Sequence, residues 1–303
     1  MNKHAKILRK EHLEYKILDF YFMKIALTGA AGFVGRHVLP RLQAHEGVEV
    51  MTLDITDGID VCDWESVKDI KADLFIHLAN KSYVPDSYEH PRSFFDVNIN
   101  STLNILELAR LNKARVLYFS SYVYGHPEYL PIDEKHPIQE FNPYSATKIM
   151  CEQMCKSYAQ DLKVPVAVFR PFNIYGTGQN EQFLLPMMVH QLPTGKIQVR
   201  DDRPKRDYIH IDDIASAVEF MAFAAWKETY AVYNLGSGES HSVREVADLL
   251  RELWGKPMEY EATGETRPNE VLDTIADISR LREMGWSPKV SLKAGLTEMI
   301  SKL

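Results

Sequence analysis

Thr28-Gly29-Ala30-Ala31-Gly32-Phe33-Val34-Gly35 joins two segments of opposite character. Before it, Lys24-Ile25-Ala26-Leu27 is short and apolar, the pattern of a buried strand. After it, Arg36-His37-Val38-Leu39 opens a helical spacing that continues to Leu42. The glycines therefore fall on a strand-to-helix turn, and each has its own part in it. Gly29 makes the tight turn, Gly32 lets the backbone approach a pyrophosphate, and Gly35 lets helix pack closely on strand. The helix N-terminus then offers unpaired N–H groups and a partial positive charge to phosphate. Val48-Glu49-Val50-Met51-Thr52-Leu53 reads as a second strand that ends in Asp54, about twenty residues past the last glycine, where an acid grips a ribose 2′-hydroxyl. The spacing is GxxGxxG, and Asp54 favours NAD, because a carboxylate there repels a 2′-phosphate. Arg36 is the nearby cation that argues for NADP, and it is read instead as a solvated helix residue.

Further along, Asp73 to Ala79 is another buried strand, with His77 read as a satisfied core histidine. A short helix over 63–69 has Asp63 as its N-cap. A longer helix follows Pro91, with apolar positions at Phe95, Ile99, Leu103, Leu106 and Leu111. Arg115 to Phe119 is a strand with Ser120 and Ser121 at its end, Tyr144 to Gln160 a helix, and Pro165 to Phe169 a strand. Apolar strands alternating with helices imply α/β architecture, a doubly wound parallel sheet covered on both faces, with ligands beyond the carboxyl ends of the strands.

Beyond Arg170 the alternation breaks at Pro171, Pro186, Pro193 and Pro204. A short strand at 208–211, a helix capped by Asp212 or Asp213, and a late strand at 232–235 follow. Ser242-Val243-Arg244-Glu245 is a capping box, and Gly285 ends a helix over 279–284. The expected organisation is an extension over 1–22, a dinucleotide domain over 23–170 to which 207–235 return, and a smaller, interleaved α/β substrate lobe over 171–303. Met23 is read as the functional start, with the extension dispensable.

The net charge of −7 argues against nucleic-acid or acidic-membrane partners. No apolar run approaches the roughly 18 residues of a membrane span. Cys62, Cys151 and Cys155 suggest no disulfide framework and point to the reducing cytoplasm. Cys151 and Cys155 lie four apart without a second ligand pair, so they are read as buried thiols and no metal is expected.

Tyr144-Ser145-Ala146-Thr147-Lys148 places a phenol and an ammonium on one helical face. The expectation is that the ammonium lowers the phenol pKa, so that Tyr144 exchanges a proton near neutral pH. Ser120, on a strand end, can hydrogen-bond the same substrate oxygen. The three would polarise a C–OH or C=O while a nicotinamide takes or gives hydride.

With these residues in place the chain resembles the extended short-chain dehydrogenase/reductases, the NAD-dependent epimerase/dehydratase family that modifies nucleotide-diphosphate sugars. The matching motifs are TGAAGFVG at 28–35, HLAN at 77–80, FSSYVYG at 119–125, NPYSATK at 142–148, RPFNIYG at 170–176, RDYIHIDD at 206–213 and YNLGSG at 233–238. The resemblance implies a Rossmann-type fold and catalytic Ser120, Tyr144 and Lys148, with Ser121 as a competing neighbour or substrate contact. It implies cofactor contacts from Gly29, Gly32, Phe33, Val34, Gly35, Asp54, Leu78, Ala79 and Lys148, with Asp60-Val61 beside the adenine. Asn173, Arg206 and Arg267 would contact the sugar diphosphate and nucleotide, and Tyr83 would line the sugar pocket. It also implies a homodimer, paired through the helices around 98–111 and Tyr144.

Three reactions compete within that resemblance. A 4,6-dehydratase carries an acidic pair after the catalytic Ser/Thr, and this chain has Ser121-Tyr122. That leaves 4-keto-6-deoxy-sugar reduction and 4-epimerisation, the latter of the UDP-glucose or UDP-N-acetylglucosamine type. Only five residues separate Asp54 from Asp60, a short cover over the adenosine that releases cofactor readily, as a reductase requires. The GTGQ at 176–179 also resembles the reductases, whereas Asp54 does not suit the NADPH many of them prefer. A non-catalytic NAD-binding regulator is the remaining alternative, and such proteins typically lose the tyrosine or the lysine.

Overall fold

A computed structural model describes residues 22–266 and 270–303. The expected extension lies outside them except for Phe22, and so does Arg267.

The first half alternates as its sequence pattern requires. β1 (Met23–Thr28) leads through the glycine turn into α1 (Phe33–Gln43) and then β2 (Val48–Leu53). The short helix α2 (Trp64–Val67), N-capped by Asp63, precedes β3 (Leu74–His77). α3 (Val84–Glu89) and α4 (Pro91–Asn112) lead to β4 (Arg115–Phe119), and α5 (Pro143–Leu162) leads to β5 (Val166–Pro171). All pairings in the main sheet are parallel, in the order β2-β1-β3-β4-β5 and then the late strand β9 (Tyr230–Leu235).

After β5 come β6 (Asn173–Tyr175), α6 (Leu184–Gln191), β7 (Lys196–Val199) and β8 (Lys205–His210). α7 (Ile211–Phe223) and β9 (Tyr230–Leu235) go back to the first half: β9 pairs with β5 at the sheet edge, while α7 shares a core with α1. β8 stays out of the main sheet and pairs with β6 and with β10 (Ser240–Ser242). The returning segment is thus the helix and the late strand. α8 (Val243–Trp254), β11 (Glu259–Ala262), α9 (Ser279–Met284) and α10 (Leu292–Ile300) complete the chain.

Strand alternation divides the core into two layers. Ile25 and Leu27 of β1 face α1 and α7 with Val38, Leu42, Ile214 and Val218. Ala26 faces the other way, into the layer that holds Ile105, Leu108, Cys151, Cys155 and Val166. A third cluster, with Leu185, Met188, Val246, Leu250 and Leu296, holds the smaller lobe together.

Two local expectations change. The cap of α7 is His210, whose Nδ1 accepts from the Asp212 amide at 3.3 Å. Asp213 instead accepts from the Lys289 and Val290 amides and ties down the C-terminal segment. On α4 the buried face holds Phe94, Asn98, Thr102, Ile105 and Ala109. Leu103 and Leu111, read as part of the apolar core stripe, are 41% and 49% exposed, because the polar positions 98, 101 and 102 bond inward.

Candidate active site

The glycine turn is closed so tightly that side chains are excluded. Gly29 has φ +66°, and a Cβ on it would stand 2.8 Å from the Ala79 nitrogen. A Cβ on Gly35 would stand 2.2 Å from the Gly29 carbonyl oxygen. Thr28 at the strand end binds the neighbouring strand: its Oγ1 accepts from the Leu78 and Ala79 amides at 3.0 and 2.9 Å. His77 Nδ1 lies 2.8 Å from the same oxygen, and burial drives the imidazole pKa down to about 3, so His77 is neutral. α1 opens at Gly32 with no side-chain cap and no acid in its first turn. Phe33 and Val34 pack on the core beside it, and Gly32 itself is exposed. An uncapped helix start behind a turn that admits no Cβ fits a dinucleotide pyrophosphate.

Asp54 sits at the carboxyl end of β2 and accepts from the Ala31 amide at 3.1 Å and the Thr56 amide at 3.0 Å. Partial burial works against its charge, but the Thr56 and Ala31 hydrogen bonds outweigh it and hold the carboxyl below the usual range. The Arg36 guanidinium is directed elsewhere and donates to the Gly178 carbonyl at 3.2 Å. The segment from Asp54 to Asp60 is a tight turn on itself, with Ile59 N donating to Asp54 O at 3.1 Å. Asp60 is exposed and accepts from the Cys62 amide, while Val61 is buried beside it.

At the end of β4 the two serines take different partners. Ser120 is 3% exposed and its hydroxyl donates to Glu152 Oε1 at 2.5 Å. Ser121 hydrogen-bonds the Tyr144 phenol. The sequence reading puts Ser120 with Tyr144; here the buried Glu152 carboxylate takes the Ser120 hydroxyl, and Ser121 is the serine at the phenol.

The electrostatics also differ from the sequence reading. Burial pushes the Tyr144 phenol up to about 12, and the Ser121 hydrogen bond only partly opposes it. The Lys148 Nζ donates to the Phe119 carbonyl at 2.7 Å and stands 4.8 Å from the Tyr118 ring centre. Burial pushes the Lys148 ammonium down to about 8. At neutral pH Tyr144 is thus a neutral phenol and Lys148 a cation, so the phenol holds a proton it can donate.

Asn173 and Arg206 lie on β6 and β8, which pair in the small sheet. Asn173 Nδ2 donates to the Asp207 carbonyl at 3.2 Å. Arg206 forms an ion pair with Glu270 and donates to the Val271 carbonyl at 2.6 Å. Tyr83 meets Phe183 edge-on, with ring centres 6.0 Å apart, so the first half touches the N-terminus of α6 there. Asp207 is fully buried and accepts from the Ser237 and Gly238 amides at 2.6 and 2.9 Å, which clamps the GSG turn onto β8. Glu152 and Glu270, which take the Ser120 hydroxyl and the Arg206 guanidinium, are partners of candidate residues that the sequence reading missed. Glu152 lies four residues past Lys148, and that helical interval was a usable signal. Glu270 carried none, since it meets Arg206 only through the fold.

Among the described residues no helix is long and apolar enough to cross a membrane. The sequence profile of the NAD dependent epimerase/dehydratase family matches residues 25–236. A GDP-6-deoxy-D-mannose reductase of Pseudomonas aeruginosa is 30% identical, over 92% of this chain and 96% of that protein. A UDP-glucose 4-epimerase of Corynebacterium glutamicum is also 30% identical, over 88% and 91%. Among solved structures, RMD from Pseudomonas aeruginosa complexed with NADPH superposes with a TM-score of 0.84 at 28% identity, over 92% of this chain and 98% of that one. Thermus thermophilus UDP-glucose 4-epimerase in complex with NAD gives 0.81 at 28% identity, over 92% and 98%.

Proposed function

The chain is an enzyme of the NAD dependent epimerase/dehydratase family, and from that premise we propose that it reduces a 4-keto-6-deoxy sugar carried on a nucleoside diphosphate. NAD would lie on the glycine turn, with its adenosine ribose on Asp54 and its nicotinamide ribose on Lys148, and when bound in reduced form it supplies hydride to the sugar C4. Tyr144 donates the phenolic proton to the C4 oxygen as that oxygen gains charge. Ser121 donates a hydrogen bond to the same oxygen, and Lys148 supports the phenolate that remains. The observation that carries the direction is the compact turn between Asp54 and Asp60, which leaves little to hold cofactor through many turnovers. The protonated phenol of Tyr144 is suited to the proton transfer that carbonyl reduction needs. Asn173 and Arg206 would take the diphosphate, Arg206 exchanging Glu270 for phosphate oxygens, and Tyr83 would wall the sugar.

One observation favours 4-epimerisation as a second reading. Asp54 selects NAD, the cofactor bound in the Thermus epimerase structure, whereas the Pseudomonas reductase structure holds NADPH. Purification without added cofactor separates the two. A reductase emerges with little bound NAD and oxidises added NADH on a 4-keto-6-deoxy nucleotide sugar; an epimerase emerges loaded and interconverts sugars without added NADH.

The partially exposed apolar face of α4 and α5, with Phe95, Ile99 and Met150 lining a groove between them, is the surface proposed for pairing two copies. Sedimentation at micromolar concentration tests this: a dimer supports it, and a monomer contradicts it. The free thiols suit a cytoplasmic setting.

A further inference from the structure

The proposed chemistry leaves the buried Glu152 carboxylate without a role. Glu152 lies on α5 one turn beyond Lys148, so Tyr144, Lys148 and Glu152 recur at four-residue intervals along one face. Its side chain is 4% exposed. Both oxygens are engaged: Oε1 accepts from Ser120 Oγ at 2.5 Å and from Arg170 Nε at 3.0 Å, and Oε2 accepts from Arg170 Nη2 at 2.5 Å. Arg170 is the penultimate residue of β5, and its Nη1 donates to Tyr124 Oη at 3.1 Å. A buried ion pair is weak grounds for stability, because apolar residues of like volume often serve the fold as well.

What the pair does locally is hold one turn. Three bonds converge on residues 119 and 120. The Phe119 carbonyl accepts from Lys148 Nζ at 2.7 Å, the Ser120 amide donates to the Phe169 carbonyl at 2.8 Å, and the Ser120 hydroxyl donates to Glu152. The next residue is Ser121, whose hydroxyl meets the Tyr144 phenol. The groups facing Lys148 are Cys151, Glu152 and Cys155 on its own helix, the Tyr118 ring and Phe119 carbonyl on β4, and the neutral His77 on β3. Glu152 is the carboxylate of this set.

We propose that Glu152 is a positioning residue for the reaction: through Ser120 it fixes the turn that presents Ser121 to Tyr144, and as a fixed anion one turn away it keeps Lys148 charged. Burial pushes the Lys148 ammonium down and Glu152 acts against that. The inference rests on the roles proposed above for Tyr144, Ser121 and Lys148.

Two variants separate the two effects. Ser120→Ala cuts the tie and keeps the charge, so kcat falls about tenfold, the worth of one hydrogen bond. Its KM, NADH affinity and pH profile stay those of the wild type. Glu152→Gln removes the charge, so the alkaline limb of the kcat profile moves to lower pH, because Lys148 then loses its proton more readily. Wild-type kcat in Ser120→Ala overturns the inference, and so does an unmoved pH profile in a folded Glu152→Gln. If Glu152→Gln does not fold, Ser120→Ala decides alone. Tyr144→Phe runs beside them: turnover retained there contradicts the proposed chemistry itself, whereas a dead Tyr144→Phe with a fully active Ser120→Ala contradicts only the role of Glu152.

Discussion

Ser121 hydrogen-bonds the Tyr144 phenol, while the serine before it gives its hydroxyl to Glu152 at 2.5 Å. The two serines should therefore respond differently to the same change. Removing the donor at Tyr144 with Phe should lower kcat/KM by about 10²- to 10⁴-fold, the usual worth of a positioned acid. Ser121→Ala should cost about 10²- to 10³-fold, like the loss of one preorganised donor. NADH binding, followed by fluorescence titration, should stay within a few-fold of wild type in both. A matching loss of NADH binding would mean that these residues shape the cofactor site instead.

In the proposed site Asp54 would set the cofactor choice from its place at the end of β2, with its charge held by the Ala31 and Thr56 amides. Asp54→Ala should weaken NADH by about 10- to 100-fold, as expected for lost hydrogen bonds to a charged group, and should improve NADPH. Arg36 is tied to the Gly178 carbonyl, so it offers the wild type no ready 2′-phosphate ligand. KM values for the two cofactors check this, and an unchanged NADH to NADPH ratio speaks against the assignment.

Gly35 admits no side chain, since a Cβ there would lie 2.2 Å from the Gly29 carbonyl. The clash is with backbone, which cannot rotate away. Gly35→Ala should lower unfolding free energy by about 1–3 kcal/mol, in the range of overpacking, and should abolish cofactor binding. Urea denaturation and NADH titration measure the two effects. Wild-type behaviour in both would show that the turn has room to spare.

The sequence carried the elements of the site whose geometry is local. The glycine turn, the Asp63 cap, the Ser242 capping box and the four-residue interval from Tyr144 to Lys148 all depend on neighbours in the chain. What it did not carry depends on distant partners. Choosing between Ser120 and Ser121 requires knowing that Glu152, on another element, takes the first hydroxyl. The phenol pKa was expected to fall because Lys148 is one turn away, yet the Phe119 carbonyl holds the ammonium and burial dominates. Asp212 and Asp213 both look like caps, but the C-terminal amides of Lys289 and Val290 claim Asp213. Leu103 and Leu111 fit a helical stripe by spacing, and only the fold shows that the inward face of α4 is the one that carries Asn98, Thr102, Ile105 and Ala109 instead.

His77 links stability to pH. Its folded pKa is about 3, lowered by burial and by the nearby Lys148 charge, against an unfolded value of about 6.5. The unfolded chain therefore binds an extra proton between these values. The stabilisation is complete above about pH 6.5 and declines as pH falls toward 3, by at most about 1.4 kcal/mol per pH unit. Urea midpoints between pH 7 and pH 4.5 should fall more steeply for wild type than for His77→Gln. Equal slopes would show that the imidazole protonates without penalty in the fold.

Hydride transfer to the sugar carbon is the step on which the proposed function depends. NADH deuterated at the transferring position of the nicotinamide ring, supplied with a 4-keto-6-deoxy nucleotide sugar, reports it directly. Mass and NMR analysis of the product should find one deuterium, bound at C4 of the sugar, and none when Tyr144→Phe replaces the wild type. Product without deuterium, or with deuterium at another carbon, would contradict the proposed reduction.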